Sequence, residues 1–109
     1  MADAFSVLAQ SAPSATTLTD IYTAPASTSV VISTINVCNR SATATSFRIS
    51  VAVAGAADAT KQYLAYDTPI DGNDSITITT GVTLATTDVL RVYATLATLS
   101  FNVFGAQVT

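Results

Sequence analysis

The oxygen-bearing side chains of residues 67 to 74 are the first place where chemistry is conceivable. Asp67, Asp71, Asn73 and Asp74 offer the hard ligands that a cation such as Ca²⁺ takes. Their spacing argues against it, because Gly72 directly follows Asp71 and no Glu closes the loop as the D-x-[DN]-x-[DN]-G pattern requires. Gly and Asn accept positive φ and Asp caps locally, so Pro69-Ile70-Asp71-Gly72-Asn73-Asp74 reads as a solvated turn. No metal ligand is assigned. Glycoside hydrolysis needs an acid and a base held about 5 to 9.5 Å apart in a cleft. Aspartates on the turn of a small domain give no sign of one, and no catalytic residue is assigned.

Cys38 is the single cysteine, so it has no internal disulfide partner, and it closes an apolar run where a free buried thiol is the plain reading. A reactive thiolate needs a base or a cationic setting, and the chain holds no His to serve as its usual partner. Arg40 stands nearby in sequence, in a loop. Asn39-Arg40-Ser41 and Asn73-Asp74-Ser75 both fit the glycan acceptor pattern, which has meaning only on a secretory route. Tyr22, Tyr63, Tyr66 and Tyr93 are amphipathic and suit the wet ends of a core. Tyr63 and Tyr66, read onto opposite faces of one short strand, are candidates for an external contact, since tyrosine is enriched at interfaces.

The rest of the composition narrows the field. The chain has 109 residues, 10% of them charged and 50% apolar, with a net charge of −3 and neither His nor Trp. One domain with a single core fits that length. Without imidazole there is no Ser-His-Asp triad and no His-ligated metal, which argues against an enzyme and against cofactors. A net negative chain repels a phosphate backbone, so nucleic acid is not an expected partner. MADAFSVLAQ lacks a basic region followed by an apolar stretch, and no long apolar run reads as a membrane span, so synthesis in the cytoplasm and no membrane partner are expected. Neutral Ala, Ser and Thr must cover much of the surface, which suits a protein packed into an assembly.

The elements that position these residues are strands. In Phe47 to Ala54, Phe47, Ile49, Val51 and Val53 alternate with Arg48, Ser50, Ala52 and Ala54, the pattern of a half-buried strand. Val30 to Cys38 puts Val31, Ile35 and Val37 on one side and Val30, Ile32 and Cys38 on the other, as if covered twice. Phe5 to Ala9, Leu18 to Thr23, Tyr63 to Tyr66, Ser75 to Thr79, Val89 to Ala94 and Leu99 to Phe104 complete eight candidates, and Gly55 to Lys61 reads as a loop with at most one turn. The expected fold is all-β: a compact single-domain β-sandwich, jelly-roll or immunoglobulin-like, of about eight short antiparallel strands. Its core is expected from Phe47, Ile49, Val51, Val53, Ile35, Val37, Ile76, Ile78, Val92, Phe101 and Val103. Residues 18–109 form that domain. Residues 1–17 are either an arm whose Phe5, Val7 and Leu8 add a strand to a neighbour, or the sandwich's own first strand followed by an extended linker.

Several stretches in fixed order carry a family resemblance. They are Ile21-Tyr22-Thr23-Ala24-Pro25, then Val30 to Asn39, Phe47-Arg48-Ile49, Tyr63-Leu64-Ala65-Tyr66-Asp67, Asn73-Asp74-Ser75 leading to Gly81-Val82-Thr83-Leu84, Asp88-Val89-Leu90 and Ser100 to Gly105. Across Leu18 to Gly105 the chain resembles a small β domain common among structural proteins of tailed bacteriophages, especially those of aquatic bacteria and cyanobacteria. The resemblance implies a virion protein and brings no catalytic residues. The expectation is a capsid decoration or cement protein. It forms a homo-oligomer, expected to be a trimer, and binds the major capsid protein or other virion proteins. A tail, baseplate or fibre-adaptor component, or a receptor- or glycan-binding module using Tyr63, Tyr66 and the Asp71 to Asp74 turn, is the alternative. Phe5, Val7, Leu8, Tyr63 and Tyr66 are the candidate interface residues.

Overall fold

The structure is a computed structural model and describes residues 3–79 and 81–108. Its strands are β1 (Asp3–Ser11), β2 (Thr19–Thr23), β3 (Ser29–Asn39), β4 (Thr45–Ala52), β5 (Tyr63–Ile70), β6 (Ser75–Ile78), β7 (Val82–Leu84), β8 (Val89–Ala94) and β9 (Leu99–Val108), with 3-10 turns at Val53–Gly55 and Thr60–Gln62. Among the described residues no helix is long and apolar enough to cross a membrane. One sheet has the order β1-β9-β3-β6, with β7 also on β3, and the other has the order β2-β8-β4-β5. The antiparallel pairs nest: β1 with β9, β2 with β8, β3 with β6 and β7, β4 with β5. A single long hairpin, bent between β4 and β5 and rolled up, gives this order, which makes the all-β sandwich a jelly roll rather than an immunoglobulin-like fold. The strand beyond the eight expected is β7, which continues along β3 where β6 stops.

Between the sheets, Phe47 of β4 meets Phe101 of β9 edge to face, with ring centroids 6.1 Å apart, and both are fully buried. Ile49, Ile35, Val37, Val92 and Val103 are buried as expected, while Val51, Ile76 and Ile78 are half-buried against the same core. Val53 is a correction: it is 69% exposed. The alternation from Phe47 stops at Ala52, because the chain enters a 3-10 turn in which Ala54 has φ 55°. The Asp88 carboxylate pins that turn by accepting the Ala54 N–H at 2.9 Å.

A second correction concerns β3, which is covered on one face. Val30 and Ile32 are buried, then Ile35 and Val37, while Val31 is 39% exposed. Its register against β9 slips between Ile32 and Thr34. The extra residue, Ser33, resets the phase, and its hydroxyl donates to the Phe104 carbonyl at 3.1 Å. A bulge that moves alternate side chains to the other face imitates, in sequence, a strand apolar on both sides.

Two strand ends also differ from expectation. β5 runs through Pro69 to Ile70, allowed because β5 is an edge strand and Pro there need not donate to a ladder. β9 passes through Gly105 to Val108. A Cβ on Gly105 would collide with the Val31 carbonyl oxygen, so glycine serves close approach there and not a strand end.

In the described part of residues 1–17 the first strand lies in the chain's own sheet. β1 pairs with the chain's own β9, and Leu8 and Ala9 pack on the core. The linker after it is tied down rather than loose: Pro13 is buried, Ala15 forms a bridge to Ala94, and the Thr16 N–H donates to the Ala94 carbonyl at 2.8 Å.

Phe101→Ala removes half of the aromatic pair that joins the sheets and is expected to cost about 3 to 5 kcal/mol, a large share of a typical domain stability of roughly 5 to 15 kcal/mol. Denaturant titration measures it, and a midpoint equal to wild type rules out a core role for Phe101. Gly105→Ala forces β3 and β9 apart at the Val31 carbonyl. Its expected cost is about 1 to 3 kcal/mol, checked by the same titration.

Candidate functional site

The sequence-derived interface residues fall into two groups on opposite sheets. On the outer face of the β2-β8-β4-β5 sheet, Arg48 points away from the core, as the alternation around Phe47 requires, opposite Tyr93 of β8. The β4–β5 register slips between Phe47 and Ile49 and again between Ile49 and Ser50. These slips bring Tyr63 and Tyr66 together, where the even alternation of a regular strand would separate them. Their rings meet edge to face at 5.0 Å, which corrects the expectation of opposite faces. The Arg48 guanidinium lies 4.2 Å from the Tyr66 ring centre and 4.4 Å from that of Tyr93. Its Nε and Nη2 donate to the two carboxylate oxygens of Asp67, at 2.7 and 3.3 Å.

The electrostatics follow from those contacts. The hydrogen bond to Asp67, opposed by desolvation, holds Arg48 in its charged form well above its ordinary range. Tyr63 is pushed above the ordinary tyrosine value of 10.0, first by burial and then by the nearby Asp58 carboxylate. Asp67 has φ 49°, a left-handed conformation for a non-glycine residue inside an edge strand, and its double hydrogen bond to Arg48 helps hold it there. The cluster is thus a staple for the irregular edge β5. Tyr66 remains 57% exposed above it, an aromatic surface with polar surroundings on which a flat ligand such as a sugar ring can stack.

On the outer face of the other sheet the register aligns two rows. Phe5 lies opposite Ala106, which lies opposite Val31; Val7 lies opposite Phe104, which lies opposite Thr34. Phe5 is 81% exposed and Val7 52%. Together with Ser6, Ser33 and Gly105 they line an open depression of about 380 Å³. Leu8, the third residue of the expected group, stands at the register slip between Val7 and Ala9, is half-buried, and turns to the core instead. Further along this face the apolar rows give way to amides: the Gln10 Nε2 donates to the Asn102 Oδ1 at 2.8 Å, and the Asn36 Nδ2 to the Thr77 Oγ1 at 3.2 Å.

The turn of residues 71–74 is engaged elsewhere. Asn39, almost fully buried, donates from its Nδ2 to the carbonyls of Thr43 and Asp71, and its Oδ1 accepts from the Ser41 N–H. The Asn73 N–H donates to the Ser41 carbonyl at 2.8 Å, and the Asp74 carboxylate accepts the Ser75 N–H. A Cβ at Gly72 would strike the Ala42 backbone. These contacts tie the turn to residues 39–43. Among the described residues no group of three His, Cys, Asp or Glu side chains comes together as for a metal. Cys38 is half-buried on the outer face, opposite Ser75 and Ser100, and not in the core.

Alternation within β4 already turned Arg48 outward, but its meeting with Tyr93 and Asp67 depends on β8 pairing and on the β5 bulge, neither legible locally. No protein-family model matches the chain, and no curated protein and no solved structure matches it either.

Since the folded state favours protonated Tyr63, its contribution to stability is complete below pH 10 and is lost as the pH rises through the folded-state value. Alkaline titration of melting temperature is expected to show a steeper fall for wild type than for Tyr63→Phe, which has no proton to lose. Equal slopes remove Tyr63 as the source.

Proposed function

We propose that this protein is a structural component of a bacteriophage virion, a decoration or cement protein that works by binding across neighbouring capsid subunits. The observation that carries the reading is the apolar outer face at β1, where Phe5 and Val7 stand exposed in a chain of which only 10% is charged. The resemblance of Leu18 to Gly105 to phage structural domains supports it, and so does the wide use of the jelly roll in viral shells, as an analogy of fold alone.

The mechanism is linkage. A protein that binds the closed shell and not its opened form stabilises the closed form by RT ln(1 + [L]/Kd), about 2.7 kcal/mol when free protein exceeds Kd a hundredfold. Its partners are the major capsid protein or other virion proteins and further copies of itself. With a net charge of −3 the domain has no attraction for the packaged nucleic acid. Tyr66, exposed above Arg48, supports a second reading, a recognition module that stacks a sugar on the opposite sheet.

Copies per virion, counted from quantified gel bands, are expected to number in the hundreds, order-of-magnitude for a shell lattice with one copy or more per repeated unit. Shells stripped of the protein are expected to open at lower temperature and to recover on adding it back. A count near that of a tail ring places it in the tail, tail-adaptor readings included. Binding on a glycan array that is lost in Tyr66→Ala favours the recognition module.

A further inference from the structure

The sandwich has four kinds of sheet edge, and three are blunted. β2 is five residues long, with a register slip and the Asp20–Arg91 ion pair across it. β5 carries Pro69, two register slips and the Arg48–Asp67 pair. β6 and β7 are short, of four and three residues. Charges, proline, bulges and shortness are the devices that keep an edge from pairing with another chain. β1 is different. It has nine residues, no proline and no Lys or Arg, and its one slip lies between Val7 and Ala9, which leaves Asp3 to Val7 regular.

We infer that β1 is a self-association edge, and that two copies of this chain join there as an isologous dimer through antiparallel β1–β1 pairing centred on Ser6. The sequence of the strand is self-complementary about that point. A two-fold axis at Ser6 sets Phe5 of each copy opposite Val7 of the other, twice, on the same outer face, before the bulge changes the phase. The joined sheets make one continuous face on which the rows of Phe5, Val7, Phe104 and Val31 of the two copies adjoin. A strand edge of this length buries less than the roughly 1,200 Å² of a standard interface. The dimer is therefore weak in free solution and populated where copies are crowded, as on a shell. In that use the inference rests on the assembly reading. A two-fold edge closes at two copies, in place of the trimer that the sequence suggested.

Sedimentation equilibrium of the full chain from micromolar to millimolar concentration is expected to show a reversible monomer–dimer equilibrium. Val7→Lys puts an ammonium beside Phe5 at both ends of the pairing and is expected to weaken it by about tenfold or more. Leu64→Lys, on β5 of the other sheet, leaves it unchanged. Register is tested in a Cys38→Ser background. Ser6→Cys sets two thiols directly opposite, within the Cα separation that a disulfide spans, and is expected to cross-link on mild oxidation. Gln10→Cys lies far from its own copy and is expected not to. A monomer at every concentration, a trimer, equal cross-linking of the two cysteine variants, or a dimer that separates only on unfolding, as exchanged β1 strands would, overturns the inference. A dimer that fails to bind shells sinks the assembly reading alone; shell binding by the monomeric Val7→Lys variant spares that reading and shows that the dimer is not what attaches it.

Discussion

Both neighbours of β9 slip register beside the same residue. β1 slips between Val7 and Ala9, and β3 between Ile32 and Thr34, and Val7 and Thr34 both lie opposite Phe104. The two bulges let a ten-residue strand keep one unbroken alternation while the strands on either side of it change phase. Leu99, Phe101 and Val103 face the core on one side of this point; Phe104 and Ala106 carry the outer rows on the other. Gly105 sits against the Val31 carbonyl of β3, where a residue without Cβ leaves room for it. The aromatic contact that joins the sheets and the exposed apolar face of β1 therefore share one cause, since both are set by where β9 is gripped.

That constraint explains which parts of the fold could be read locally. Phe47, Ile49 and Val51 alternate without interruption because β4 pairs with β8 in continuous register from Phe47 to Ala52, and pattern alone identified their face. Val30 to Cys38 looks two-sided in sequence because a bulge is defined by the partner strand and leaves no mark in its own sequence beyond an extra residue, here Ser33. The same reason put Tyr63 and Tyr66 on opposite faces. Val53 was lost to a different effect: Asp88, thirty-five positions away, fixes the turn that ends β4. The Asp71 to Asp74 turn was legible, since Gly, Asn and Asp act through their own backbone preferences. What clamps it, Asn39, was not, because a buried amide serving two loops looks in sequence like any strand-end polar residue.

The few cations are spent on holding the fold rather than on wetting its surface. Arg48 is wrapped by Asp67, Tyr66 and Tyr93. Arg91 donates to Asp20 and to the carbonyls of Ala56 and Gly55, so it fastens that loop to β8. Arg40 donates to the Ala97 carbonyl. With three of the four Lys and Arg residues engaged in this way, electrostatic repulsion between copies would rest on a small net charge. The Arg48 staple of β5 and the unpaired edge of β1 share no residues and lie on different sheets.

Nesting of the strand pairs adds a kinetic consequence. Among the described strands the earliest in the chain pairs with the latest, so β1 has no ladder partner among them until β9 emerges. Closing such long loops is slow relative to local pairing, because the entropy of loop closure must be met before the contacts form. During that interval Phe5, Val7 and Leu8 belong to an apolar segment with both edges unpaired, the condition under which strands join other chains. The bulge at Leu8 answers part of this hazard by turning the second half of β1 out of register with its first half, which limits regular pairing to a short stretch. A strand open at one edge, yet regular over only a few residues, offers another strand few aligned hydrogen-bonding groups and a single register. That balance is what separates a controlled contact between folded copies from the indiscriminate aggregation that a long, flat, apolar edge invites.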